Sequence, residues 1–292
     1  MLNLVLSIVL SSWLILSFKY VERFKISRLQ AIVFNYISCV ITGCIFNGKI
    51  PSPAVSFSDP AFKWPVIMGL FFITLFNVTG YTAQKVSVAV ASVASKLSLV
   101  IPFVFSIFLY NEKAGIFKIT AIVLALAGVY CTVAIRKNEK QENNHQPALL
   151  FLLAFILFVG CGLQDTVVKY AEQHYMNADN SNDYLIVAFA TAASVGLVLM
   201  LLLIITGKEK FSYKSILAGI AIGVPNYFSI LFLVKALKQY SGNSSAVLPV
   251  VNIGIVLCSA LAAGILFGEK LSLLNKIGIL LSIISIAFFA LG

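Results

Sequence analysis

Charge is what this chain has least of. Of its 292 residues only 11% are charged, against about a quarter in a soluble domain, while 60% are hydrophobic. That balance sets aside a soluble enzyme, a disordered chain and a nucleic-acid binder. Acidic residues are the scarcer sign, 11 Asp and Glu against 21 Lys and Arg, leaving a net charge of +10. The cations stand mostly singly between long apolar runs, the pattern of membrane-protein loops rather than of a nucleic-acid surface. Histidine is nearly absent, with only His145 and His174, both in polar connections. There is no His-Glu-x-x-His, no Gly-x-Ser-x-Gly and no phosphate loop, so no catalytic residues, no cofactor and no nucleotide site are expected. Asn177, Asp179, Ser181 and Asp183 alternate like the start of a calcium loop. Asn182 stands where the loop glycine belongs and Ala188 where the bidentate glutamate belongs, so no metal is expected either. The five cysteines (Cys39, Cys44, Cys131, Cys161, Cys258) all fall inside apolar stretches and read as small packing residues, not as a disulfide framework.

What remains is hydrophobic length. Mean hydropathy is +0.98. A spanning helix needs about 20 apolar residues, and at roughly one span per 30 residues the chain has room for about ten. Apolar stretches run at 2–18, 29–47, 64–84, 86–110, 116–135, 148–168, 184–206, 215–236, 244–267 and 271–291. The polar segment Arg136 to Gln146 divides them. These runs exceed what a tilted barrel strand requires, so the expectation is an all-α integral membrane protein of ten transmembrane helices. The first run has no basic flank before it and nine runs after it, so it reads as a span, not as a cleaved signal peptide.

The two halves repeat. At an offset of 150, Lys19-Tyr20-Val21-Glu22 falls on Lys169-Tyr170-Ala171-Glu172, each after the first apolar run of its half. At an offset of 157, Asn111-Glu112-Lys113 falls on Gly268-Glu269-Lys270, each after the fourth. Charged matches at equivalent ends are harder to obtain by chance than apolar ones. The expected organisation is a first five-helix repeat over 1–136, a polar connector over 137–147 and a second five-helix repeat over 148–292. An odd number of helices per repeat makes the second copy enter the membrane from the opposite side, the inverted-repeat design of secondary transporters.

Each half has a small-residue-rich fourth helix containing proline, then an Asn-Glu or Gly-Glu step, then a last helix. These are Ser87 to Tyr110 with Pro102, then Asn111-Glu112, and Ala246 to Phe267 with Pro249, then Gly268-Glu269. In these features the chain resembles the drug/metabolite transporter superfamily, specifically its EamA-type ten-helix members. Asn111 replaces the glycine usual in that family. The resemblance implies a metabolite or drug-like solute, peripheral fifth and tenth helices and termini in the cytoplasm.

Polar groups inside apolar helices are the candidates for a substrate pathway. Lys96 lies ten residues into the fourth run, about 15 Å from its start and too deep to snorkel easily. It reads as a cationic anchor for a carboxylate, phosphate or other electron-rich group, or as a lysine near a lipid-facing end. Asp165 lies 17 residues beyond Ala148, about 25 Å along the sixth run. It reads as a proton- or cation-binding carboxylate, or as a helix-end aspartate among headgroups. Trp13, Asn35, Asn77, Tyr81, Gln164, Asn226, Tyr227 and Asn252 complete the set. Each alone is most simply an interhelical hydrogen bond; together they suit a polar cavity. Pro102, Pro225 and Pro249 each remove a backbone donor, which makes a kink first and a hinge second. Ser87, Ala91 and Ser95, and Ala260 with Gly264, are spaced for close helix packing.

The expected function is secondary transport of a small organic solute by alternating access, driven by protons, another coupling ion or exchange, in a bacterial inner membrane. The partners are the lipid bilayer and a small-molecule substrate, with no nucleic acid. Two alternatives are a flippase for a lipid-linked head group and a non-transporting membrane scaffold. An intramembrane enzyme would need paired groups at one depth, and Lys96 and Asp165 differ by about 10 Å. Connections alternate in charge: those after runs one, three, five, seven and nine, counting Lys276 just inside run ten, hold thirteen Lys and Arg, and the others, counting Lys118 and Lys235 just inside their runs, hold seven. By the positive-inside rule that count puts both termini outside, opposite to the resembled family.

Overall fold

The structure, a computed structural model, describes residues 2–48, 62–101, 115–133, 147–175, 180–239, 244–269 and 271–291. Among these residues there are ten helices. They are α1 (Leu2–Arg23), α2 (Arg28–Asn47), α3 (Lys63–Lys85), α4 (Val88–Leu97), α5 (Ile116–Val133), α6 (Pro147–Tyr175), α7 (Ser181–Ile205), α8 (Tyr213–Gln239), α9 (Ser244–Phe267) and α10 (Leu273–Leu291). Seven are long and apolar enough to cross a membrane, while α4, α5 and α10 offer shorter apolar stretches. Their outward faces carry large apolar side chains such as Ile45, Ile205 and Ile265. A water-soluble protein does not expose so much, and hydrocarbon has no objection to it. The chain is an all-helical integral membrane protein.

Helix ends follow side-chain chemistry more than hydropathy. Ser27 caps α2 by accepting from the Gln30 N–H, and Gly48 closes it at φ 67°. Ser272 and Asn275 form a reciprocal box at the start of α10: the Ser272 N–H donates to Asn275 Oδ1 and the Asn275 N–H to Ser272 Oγ. Lys19-Tyr20-Val21-Glu22, expected after the first span, lies within α1, and Lys169-Tyr170-Ala171-Glu172 lies within α6. Hydropathy locates the lipid-embedded stretch, but backbone hydrogen bonding carries on through charged residues that are good helix formers. The α3–α4 break falls after Lys85, at Val86 and Ser87, because the Ser87 side chain accepts from the Val90 N–H and restarts the helix there.

The chain divides into two compact units, and α1, α3, α6 and α8 contribute to both. One comprises Met1–Lys19, Val78–Gly162 and Phe228–Gly292, called here the α4 unit. In it α5 packs on α10, and α4 packs on α5, α9 and α10. The core is Ala89, Val93, Leu97, Val256, Ala260, Ile279 and Ile286. Two hydroxyl bonds sit within it: Ser259 Oγ to Ser92 Oγ at 2.8 Å, and Ser285 Oγ to the Ala121 carbonyl at 2.7 Å. The other comprises Tyr20–Asn77 and Leu163–Tyr227, called here the α2 unit. There α2 packs on α7. Tyr36 stacks on Phe189 and its hydroxyl donates to the Phe72 carbonyl at 2.8 Å.

Candidate functional site

Lys96 belongs to the α4 unit. Residues 88–94 and Leu97 are buried in packing, whereas Ser95 and Lys96 are half-buried. From Val88 the lysine is about 12 Å along the helix. Among the described residues it has no hydrogen bond or ion pair.

The start of α4 carries the ionic contact that ties this unit together. Glu269, just past α9, receives the Val88 N–H on both carboxylate oxygens at 3.3 Å. Its Oε1 lies 3.4 Å from Lys19 Nζ. Lys19 Nζ also donates to the Gln84 carbonyl at 3.3 Å, and Gln84 Nε2 donates back to the Phe18 carbonyl at 3.0 Å. The negative carboxylate thus sits on the positive end of the α4 dipole, while the Lys19 ammonium holds the last turn of α3. Lys19 and Glu269 stood out in the sequence only as repeat markers; their separation by 250 positions hid their pairing.

In the α2 unit the structure brings three polar side chains together. Asn226 Nδ2 donates to Asn35 Oδ1 at 3.1 Å, and both residues are buried. Cys39 Sγ donates to the Gly223 carbonyl at 3.3 Å and lies 3.9 Å from Asn35 Oδ1. Asn35 Nδ2 is buried with no hydrogen-bond partner among the described residues. Tyr227, adjacent in sequence, is buried, and its ring lies against Gly43 and Phe46.

Close approach of α8 to α2 creates this cluster. A Cβ added at Gly219 would collide with Phe34, and one at Gly223 with the Asn35 carbonyl and Ser38. Gly219-x-x-x-Gly223 is the small-residue spacing that lets helices touch backbone to backbone. That spacing was a readable signal, and the sequence reading did not take it up. The packing role expected of Gly264 is not seen: around an added Cβ there, only the Glu269 carbonyl comes within 4 Å. Ser87 is an N-cap instead of a packing residue.

The other candidates are dispersed. Asp165 is exposed and Gln164 half-buried on α6, and Pro225 lies inside α8. Asn77 spends its amide on its own helix, donating to the Ile73 carbonyl at 2.8 Å. Trp13, Tyr81 and Asn252 are half-buried residues of the α4 unit. Pro249 falls within α9, and Pro102 lies outside the described residues. Among the described residues no group of three His, Cys, Asp or Glu is placed to hold a metal.

Comparison with known proteins shows what the chain is similar to. A protein of Haemophilus influenzae named only as uncharacterized is 26% identical over 292 residues, covering 97% of this chain and 96% of that protein. A solved crystal structure matches with a TM-score of 0.62 at 16% identity over 98% of this chain and 94% of that one, a likeness of fold. Residues 1–134 match the model of the EamA-like transporter family. The first 134 of the 292 residues, a little under half of the chain, are thus similar to the EamA-like transporter family.

Proposed function

We propose that the protein is a secondary transporter that moves a small organic metabolite or drug-like solute across a bacterial inner membrane by alternating access. It is driven by an ion gradient or by exchange. Its two five-helix repeats, 1–136 and 148–292, are inverted about the connector 137–147, and both termini face outside. The observation that carries the reading is Lys96: a half-buried cation in the last turn of α4, about 12 Å from its start, with no ion pair among the described residues. Its ammonium offers three donors and a full charge to a carboxylate or phosphate on the solute. The solute's anion in turn supplies the counter-charge that the site lacks when empty. Asp165 on α6 takes up and releases the coupling proton or cation.

Movement centres on the joint from Tyr81 to Val88 and on its repeat counterpart from Lys238 to Ser245, of which residues 240–243 lie outside the described residues. The first joint is spanned by the Lys19–Glu269 pair, and releasing Val88 from Glu269 frees α4 to tilt from α3. Pro225 and Pro249 supply bends.

The test begins with a ligand-stabilisation screen of purified protein across amino acids, nucleosides, sugar phosphates and cationic drugs, since a bound solute raises apparent stability by mass action. Uptake of the best ligand is then measured in proteoliposomes. Lys96→Ala abolishes uptake or reverses its charge preference while the thermal midpoint holds or rises, because a half-buried cation with no ion pair has been removed. Wild-type uptake kinetics in the alanine variant would overturn the reading.

A further inference from the structure

One end of the α2 unit gathers cations from two connections far apart in sequence. The α1–α2 turn carries Arg23, Lys25 and Arg28; the α7–α8 connection and the start of α8 carry Lys208, Lys210 and Lys214. Four hydrogen bonds join the two segments. Ser27 Oγ donates to Glu209 Oε2 at 2.7 Å, and Gln30 Nε2 to the same oxygen at 3.2 Å. Gln30 Nε2 also donates to the Lys210 carbonyl at 2.9 Å, and the Ser212 N–H to Gln30 Oε1 at 3.1 Å. Every cation therefore lies within a few residues of this seam. Five of the six are exposed. The carboxylate of Glu209, the acid within the α7–α8 connection, is turned onto Ser27 and Gln30, so it is spent on the seam.

Two further features set this surface apart from a merely solvated loop. Exposed rings are interleaved with the cations: Phe24 is 62% exposed, Phe211 53% and Tyr213 69%. Rings and amphipathic cations in alternation at helix ends belong to the headgroup layer, where one part of each side chain meets hydrocarbon and the other meets phosphate. Backbone strain is the second. Lys25 adopts φ 53°, the left-handed position that ends α1. The Lys25 N–H bonds to the Glu22 carbonyl and the Ile26 N–H to the Val21 carbonyl, a helix-ending motif in which glycine is the usual occupant. A lysine held there keeps a charge where a glycine would relieve the backbone.

We propose that this seam is a binding surface for anionic phospholipid headgroups. The phosphate of a lipid such as phosphatidylglycerol lies among the exposed ammonium groups, and the rings of Phe24, Phe211 and Tyr213 meet the upper acyl chains. The proposal is independent of which solute the protein carries.

The test uses the purified full-length protein in neutral detergent, titrated with short-chain phosphatidylglycerol, with phosphatidylcholine of the same chain length, or with inorganic phosphate. Thermal midpoint and lipid retention by mass spectrometry are both read. Phosphatidylglycerol raises the midpoint and is retained; phosphatidylcholine and inorganic phosphate do neither at the same concentration. Each cation near an anionic surface strengthens binding about fivefold, so Lys208→Gln with Lys210→Gln and Lys214→Gln weakens phosphatidylglycerol binding more than tenfold. High salt does the same. Lys63→Gln, at the opposite end of the unit, leaves it unchanged. Lys25→Gly separates the role from folding, because it keeps or raises the lipid-free midpoint while lowering affinity for phosphatidylglycerol. Equal stabilisation by the two lipids, the same shift with inorganic phosphate, or wild-type lipid affinity in the triple variant would overturn the proposal.

Discussion

Two glutamates in this protein do the same job by different chemistry. Each follows a helix closed by a left-handed glycine, Gly268 after α9 and Gly207 after α7, and each lands at the start of another helix. Glu269 meets α4 in one unit and Glu209 meets α2 in the other. Glu209 bonds neutral side chains, Ser27 and Gln30, the shorter at 2.7 Å, and Gln30 completes the seam with two backbone bonds. Glu269 instead makes longer contacts of 3.3 and 3.4 Å, to a backbone N–H and to the Lys19 ammonium. The first arrangement is closed and self-satisfied. The second is held by charge attraction across several elements, which tolerates lengthening and can be re-formed after release. The difference separates a fixed corner from a contact that can open, as the proposed transport cycle requires at the α3–α4 joint.

Gln30 is where the fixed corner breaks hardest. It is fully buried, and Gln30→Ala removes three bonds of the seam, leaving the Glu209 carboxylate to Ser27 and stranding the Lys210 carbonyl and the Ser212 N–H. A loss of about 2–4 kcal/mol is expected from unsatisfied groups of this kind. The expected measurement is a clear fall in thermal midpoint for protein in detergent; an unchanged midpoint would mean that the seam contributes nothing. Glu209→Ala comes next, at about 1–3 kcal/mol, because charge-assisted bonds are lost and Ser27 is released from its acceptor. Its solute affinity, read by the stabilisation screen, stays as in the wild type.

Glu269→Gln has the smallest effect on stability and the larger one on motion. An ion pair with side chains 20% and 14% exposed is worth about 0.5–1 kcal/mol, and glutamine still accepts from Val88. The midpoint should move little, whereas a cysteine placed at Val86 in a background lacking the five native cysteines should label faster. A double-mutant cycle with Lys19→Ala then reports a coupling within that same range. Slower labelling in Glu269→Gln would contradict the comparison, since loosening the pair would then have tightened the joint.

Much of the fold was legible as sequence because lipid imposes one rule on every span: apolar side chains outward and backbone bonds closed within the helix. That rule writes itself into hydropathy, and each of the ten runs holds a helix among the described residues. It says nothing about where charged helical turns end, so Lys19 to Glu22 and Lys169 to Glu172 were placed outside helices that contain them. The candidate site was legible only as a set of suspects. Asn35 and Asn226 proved to be partners and Asn77 a residue bonded to its own turn, yet in sequence all three are asparagines within apolar runs.

Composition and periodicity by themselves determined that this chain spans a membrane as helices, that its cations gather at helix ends, and that Lys96 is out of place among apolar neighbours. Each of these follows from the free energy of moving a single group between water and hydrocarbon, a property that a residue carries wherever the chain goes. Only the tertiary structure decided that Lys19 meets Glu269, that Gly219 and Gly223 let α8 touch α2, and that Ser27 and Gln30 draw two basic connections into one surface. Those are pairings between positions some 180 to 250 apart, and the energy of a pair depends on distance and direction, which no residue holds alone.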